Sequence, residues 1–305
     1  MLQRIKVIAP SSTANLGPGF DVFGLAIDAF YDEIQICKTK YNGIKLHVNK
    51  INVNSNQNTA SVAINNMRKK FDIKEGVEIF LNKGVPIGAG VGSSAASAAA
   101  AVVGFNKIFE LDLDHLSLIK FAGIGEKASA GTIHYDNVAA AILGGFVIVR
   151  SNPLNVTKIK PPINLRICLA MPQIKTEKQK TKIARSVLPS RIKLADSTYN
   201  LSNATQMVCG FMNKDIKAIG DSMKDHIVEK AREKLIPGFY DVKYNAIKEG
   251  ALGVAISGAG PTMIAIADKS SKLDAICRTM KKSFEKHNLK CNTVICKPSR
   301  GTIVK

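Results

Sequence analysis

The chain has 305 residues, with 46% hydrophobic and 22% charged side chains, the balance of a globular protein with room for one or two domains. That balance excludes disorder, collagen and coiled coil for the chain as a whole, and six cysteines with no CxxC pair point to free thiols in a reducing compartment. The net charge is +19, and Lys and Arg outnumber Asp and Glu by 28 to 12 beyond residue 150 but only by 15 to 12 before it; such a field attracts anions such as nucleotides or acidic metabolites.

In chain order, Arg4–Ala9 and Val22–Phe30 read as strands joined by a polar, Gly-rich connection. Glu33–Lys38 and Ile44–Val48 alternate like half-buried strands. Thr59–Phe71 has helical spacing, and Val77–Leu81 alternates again. A Gly-rich loop, Gly84–Gly92, leads into a small-residue helix near Ser93–Phe109, followed by a helix at Asp114–Ala128 and a strand at Gly144–Val149. Ser151–Pro162 holds three prolines and little periodicity, so the domain boundary is placed there, dividing the chain into 1–155 and 156–305.

Beyond it, Arg166–Met171 reads as a strand and Thr176–Val187 and Ile192–Met212 as helices. Shorter helical patterns lie near Asp215–Met223 and Phe239–Glu249. Strands at Val254–Ser257 and Met263–Ala267, a helix at Lys272–His287 and a strand at Cys291–Cys296 follow. Strands mixed with helix pairs give an α+β class. No apolar run reads as a signal peptide or a membrane span, because Gly258, Gly260 and Pro261 interrupt one of the two longest apolar stretches. A cytoplasmic protein with no membrane partner is expected. Without a recognition helix, zinc finger or aromatic RNA motif, the basic charge does not imply a nucleic-acid partner.

The sharpest local feature is Val85-Pro86-Ile87-Gly88-Ala89-Gly90-Val91-Gly92-Ser93-Ser94-Ala95-Ala96-Ser97, between a strand and an Ala-rich helix. Closely spaced glycines let backbone approach a phosphate, and consecutive amides at a helix start form an anion hole. Ser93 and Ser94 stand at or near the N-cap, where a hydroxyl caps the helix or ligates Mg²⁺. No Lys follows the last glycine, so the loop is no Walker A, and it is not GxGxxG either. Read alone, it is equally a tight turn into a buried helix.

The loop resembles the Pro-xxx-Gly-Leu-Gly-Ser-Ser-Ala motif of the GHMP kinase superfamily, with Val91 in place of Leu. Two more motifs match in order: Pro10-Ser11-Ser12-Thr13-Ala14-Asn15-Leu16-Gly17-Pro18-Gly19-Phe20-Asp21 and Ser257-Gly258-Ala259-Gly260-Pro261-Thr262. Within the superfamily the first motif looks like that of the homoserine kinases. So does His134-Tyr135-Asp136-Asn137-Val138-Ala139, where Tyr135 replaces Pro, and so do the segments around Arg185 and Arg232.

The resemblance implies a GHMP kinase fold, with an N-terminal domain like the second domain of ribosomal protein S5 and a ferredoxin-like C-terminal domain. It implies ATP-dependent phosphorylation of L-homoserine to O-phospho-L-homoserine, on the route to threonine, in an active site between the domains. By the resemblance the loop from Pro86 to Ala96 binds ATP, with Asn58 near the nucleoside, and Ser94 and Glu126 hold Mg²⁺. Asn15, Asp21, His134 and Asn137 meet the amino acid, and Arg185 and Arg232 its carboxylate, for which a guanidinium fork is suited. Asp21 either orients or deprotonates the reacting hydroxyl; Asn137 cannot accept a proton, and no Lys–Asp base pair of the mevalonate kinase sort is seen. Lys175, Lys178, Lys180 and Lys182 are expected at the ATP entrance, and the assembly is expected to be a homodimer. The alternatives are another GHMP kinase, such as an archaeal-type shikimate kinase, or a catalytically inactive regulator of this fold.

Overall fold

The computed structural model describes residues 4–49, 58–131, 133–174 and 180–305. Lys175 and Lys178 lie outside these. Two sheets organise the molecule. β1 (Arg4–Asn15) and β2 (Gly19–Thr39) form a long antiparallel hairpin. One half of β2 pairs with β4 (Gly76–Asn82), which carries the short parallel strand β3 (Ile44–Val48) on its far side. The other half pairs with β5 (Phe146–Ser151), and β5 with β6 (Leu154–Ile159).

Helices α1 (Thr59–Lys70), α2 (Ser93–Ile108), α3 (His115–Ala130) and α4 (Asp136–Leu143) pack around this sheet. The alanines of α2 explain its place at the centre. Ala95, Ala96 and Ala98–Ala101 are all fully buried, and side chains that small let the helix approach β1 and β2 closely.

The expected loop after Ala9 is instead more strand. Ser11, Ser12 and Thr13 are polar yet fully buried, because each hydroxyl has work inside the protein. Ser11 Oγ donates to Ile27 O at 3.1 Å, Ser12 Oγ to Asn137 Oδ1 at 2.8 Å, and Thr13 Oγ1 lies 2.8 Å from Ser257 Oγ. Likewise the Pro-containing stretch at 151–162 is half strand: the expected boundary at 155/156 falls within β6.

The second sheet has the order β10–β7–β9–β8, all antiparallel, from β7 (Leu165–Pro172), β8 (Gly253–Ile256), β9 (Met263–Asp268) and β10 (Cys291–Cys296). With α9 (Phe239–Lys248) and α10 (Leu273–Glu285) packed together on one face, this is the ferredoxin-like arrangement that the resemblance implies. Between β7 and α9 run α5 (Lys180–Ser186), α6 (Leu194–Asn213), α7 (Ile216–Asp221) and α8 (Val228–Arg232). α6 joins the two halves: Phe211 stacks on Phe146 of β5, centroids 3.9 Å apart, and one apolar core runs from Val7 and Ile36 through Phe211 to Ile264. Residues beyond β10 return to the first sheet, where β11 (Ile303–Val304) pairs with β1.

Candidate active site

The three glycine-bearing motifs, far apart in sequence, meet at one point. Ser12 N donates to Val91 O at 3.1 Å, and Gly258 N to Ala14 O at 3.1 Å. Ser257 Oγ donates to Gly90 O at 2.7 Å, and Asn15 Nδ2 to Gly258 O at 2.9 Å. Their closeness explains the glycines. Gly90 has φ +83°, and a Cβ there would stand 2.5 Å from Gly260 O and 2.6 Å from Ser257 O; a Cβ on Gly92, φ +70°, would strike Ser12 Oγ.

The loop thus lies against protein at Gly90 and Gly92, while Ile87 at its crest is 64% exposed. Gly92 is itself the N-cap of α2, so neither serine caps the helix. Ser93 Oγ donates to Val85 O at 2.9 Å and closes the loop. Ser94 Oγ donates to Glu126 Oε2 at 2.9 Å.

Ser94 and Glu126 therefore meet, as the resemblance implies. Glu126 is buried, and burial pushes its carboxyl up to about 7 against the hydrogen bond from Ser94. A hydroxyl and a buried carboxylate at a helix N-terminus are oxygen donors of the kind a hard divalent cation takes. Among the described residues no cluster of three or more His, Cys, Asp or Glu could hold a metal, so a metal-binding site built on this pair would need ligands from its substrate.

Beneath the loop is a pair that sequence reasoning missed. Asp32 is fully buried; its Oδ1 accepts from Gly84 N and Val85 N at 3.1 and 3.0 Å, and its Oδ2 from Lys83 Nζ and Ser97 Oγ, both at 2.6 Å. Lys83 Nζ also donates to Ser93 O at 2.7 Å. This Lys–Asp pair holds the backbone on both sides of the loop. Neither residue falls in a strand expected from the sequence, Asp32 standing just before Glu33–Lys38 and Lys83 just after Val77–Leu81, so no pattern in the sequence pairs them.

Beside the loop, Asp21, His134 and Arg185 come together. Arg185 Nη2 donates to Asp21 Oδ2, and His134 Nδ1 lies 2.9 Å from that nitrogen and 3.4 Å from Asp21 Oδ1. Burial pushes the Asp21 carboxyl up, but its contacts with His134 and Arg185 outweigh this and hold it below the usual range. Arg185 and Arg232 both approach the Phe20 ring, at 5.1 and 5.3 Å from its centroid.

Arg232 is almost fully buried and donates to Ala184 O at 2.9 Å and Gly258 O at 3.0 Å. It thus ties α5 to the second glycine turn. Burial, then the Arg185 charge, lowers it to about 10.

The two asparagines expected at the substrate are engaged within the protein. Asn15 donates to Gly258 O and accepts from Asp21 N at 3.2 Å. Asn137 Oδ1 accepts from Ser12, and its Nδ2 donates to Asp136 Oδ1 at 3.2 Å. Asp136, quoted in its motif but given no role, is buried; burial and the Asp21 charge push it up to about 6. Asn58 is the N-cap of α1, accepting from Ala60 N at 2.9 Å, and its neighbour Thr59 donates to Ser94 O at 3.2 Å, so the start of α1 adjoins the loop.

Comparison with known proteins agrees with this geometry. The profile of the GHMP kinases N terminal domain matches residues 58–145, and that of the GHMP kinases C terminal region matches 207–286. A homoserine kinase of Thermoplasma volcanium is 38% identical over 289 residues, covering 95% of this chain and 93% of its own. One of Methanococcus maripaludis is 40% identical over 280 residues, with 90% and 91% covered. The chain belongs to the homoserine kinase family of GHMP kinases. A crystal structure of the homoserine kinase from Cytophaga hutchinsonii superposes on this member with TM-score 0.92 at 37% identity, over 100% of this chain and 98% of that one. No described helix of the kinase is long and apolar enough to cross a membrane.

Proposed function

We propose that the protein transfers the γ-phosphoryl group of ATP to the side-chain hydroxyl of L-homoserine, giving O-phospho-L-homoserine on the route to threonine. The observation that carries this reading is the Asp21–His134–Arg185 cluster beside the glycine loop. It offers a carboxylate and guanidinium charge to the two ends of an amino acid, next to a backbone cradle for phosphate.

In this reading the ammonium of homoserine takes Asp21, and its carboxylate takes Arg185 beside Arg232. His134 adds a polar contact. The contacts that hold the Asp21 carboxyl below the usual range also make it a weak proton acceptor, so we assign it to orienting the substrate. Asn15 holds Asp21 in place, and Asn137 stands nearest the reacting hydroxyl. The amides from Gly88 to Ser94 and the N-terminus of α2 receive the polyphosphate, whose loose transition state is stabilised by position and charge. Pro86, Ile87 and Asn58 flank the nucleoside. Ser94 and Glu126 would hold Mg²⁺, which when bound neutralises phosphate charge.

The assembly we expect is a homodimer, and the six free cysteines suit a cytoplasmic setting. ADP release across homoserine, threonine, serine, mevalonate and shikimate tests the function. Homoserine should give the highest kcat/KM. A preference for shikimate would favour an archaeal-type shikimate kinase, and turnover of none an inactive regulator.

A further inference from the structure

α5 brings two basic side chains to the site. Arg185 reaches Asp21 and His134. Lys180 stands five residues earlier, about 7.5 Å away along the helix axis at the usual rise. Its Nζ donates to Gly88 O at 2.6 Å and to Gly260 O. One acceptor lies in the loop that opens α2, and the other in the second glycine turn. The ammonium therefore bridges the two motifs that meet at the phosphate cradle.

The two lysines of this loop differ in their partners. Lys83, below it, is neutralised by the buried Asp32. Lys180 has only neutral carbonyls as its hydrogen-bond acceptors among the described residues. Burial, with no opposing charge, brings its ammonium down to about 7. An ammonium in that setting gains most from an anion, since a charged acceptor replaces a neutral one.

We propose that Lys180 is a ligand of the transferring phosphoryl group, its ammonium leaving the carbonyls of Gly88 and Gly260 for the γ-phosphate oxygens of ATP. This rests on the kinase reading above. Beside the phosphate charge Lys180 is held as the ammonium during the transfer. The bond from the γ-phosphorus to the bridging oxygen breaks with its electron pair going to ADP. The new bond uses a pair from the homoserine oxygen, whose proton passes to water. The ammonium stabilises charge on the three oxygens that move.

The test compares wild type with Lys180→Met, which keeps the apolar stem, and Lys180→Arg, which keeps the charge. Calorimetry measures affinity for ADP and for β,γ-methylene-ATP, steady-state kinetics give kcat and both KM values, and melting reports the fold. Lys180→Met should weaken the ATP analogue by about 10- to 100-fold, the worth of a charge-assisted hydrogen bond, with ADP affinity and melting unchanged. kcat should fall by a similar factor with the homoserine KM within about threefold, and Lys180→Arg should recover part of the loss. An unchanged preference for the analogue over ADP would overturn the proposal. So would an equal loss for both nucleotides together with a lower melting temperature, which marks a structural tether. If wild type binds nucleotide but does not phosphorylate homoserine, the functional reading fails, while the comparison of the two nucleotides still decides Lys180.

Discussion

At Glu126, burial opposes the ionised form that the proposed metal role needs. Its carboxyl is pushed from 4.5 to about 7, so the folded protein binds a proton more tightly than the unfolded chain. The resulting stability is fully present below about 4.5 and is lost as pH rises through about 7, a difference of about 3 kcal/mol. Asp136, raised to about 6, acts with the same sign. Melting of the ligand-free protein should therefore fall between pH 5 and 8, and Glu126→Gln should flatten much of that slope. The same substitution, like Ser94→Ala, should lower kcat by about 100-fold or more and raise the Mg²⁺ concentration needed for turnover. Full activity at limiting Mg²⁺ would remove Glu126 from the metal site. Arg232 carries a different expectation from that of a simple carboxylate ligand. Its guanidinium already holds Ala184 O and Gly258 O, so Arg232→Lys should raise the homoserine KM by about 10- to 150-fold and also lower the melting temperature. A raised KM with no change in melting would show that these two hydrogen bonds carry little of the fold. The sequence made the motif residues legible one by one. It did not show that Asn15 and Asn137 are engaged with Gly258 and Ser12, because those partners are 243 and 125 residues away.

Among the elements, helices with strong periodicity or small-residue runs were readable almost to the residue: α2 begins at Ser93 and α1 at Thr59, as expected. The misses have two causes. Ser11–Thr13 look like loop because hydroxyls usually seek water, and only the partners on β2, α4 and the second glycine turn let them lie in a strand. α4 and α8 are too short, at eight and five residues, for a period to declare itself. The glycine loop was read as an element from its closely spaced glycines; the structure adds that the missing Cβ of Gly90 makes room for Gly260 O and Ser257 O. Gly90→Val should accordingly destabilise the protein by about 3 kcal/mol or more, seen as a lower melting temperature or loss of soluble protein. A stable, well-folded Gly90→Val protein that has lost only ATP binding would reverse that assignment.

For the whole molecule, the sequence showed two units but not how deeply they are joined. α6 and the core around Phe211 and Phe146 belong to both, and β11 covers the outer edge of β1. Residues 1–155 expressed alone should therefore aggregate, and co-expression with 156–305 should recover soluble material; a monomeric, cooperatively melting 1–155 fragment would contradict this. The return of β11 also sets a clock. A ribosome adding about 5–20 residues per second makes Ile303 roughly 15 to 60 s after it makes β1. For that interval the edge of β1 at Val7 and Ile8 lacks its partner, and open edges pair with whatever strand is near. The nascent chain is most exposed to misassembly before β11 is made, and crowded polysomes or chaperone shortage should reduce its yield of soluble protein.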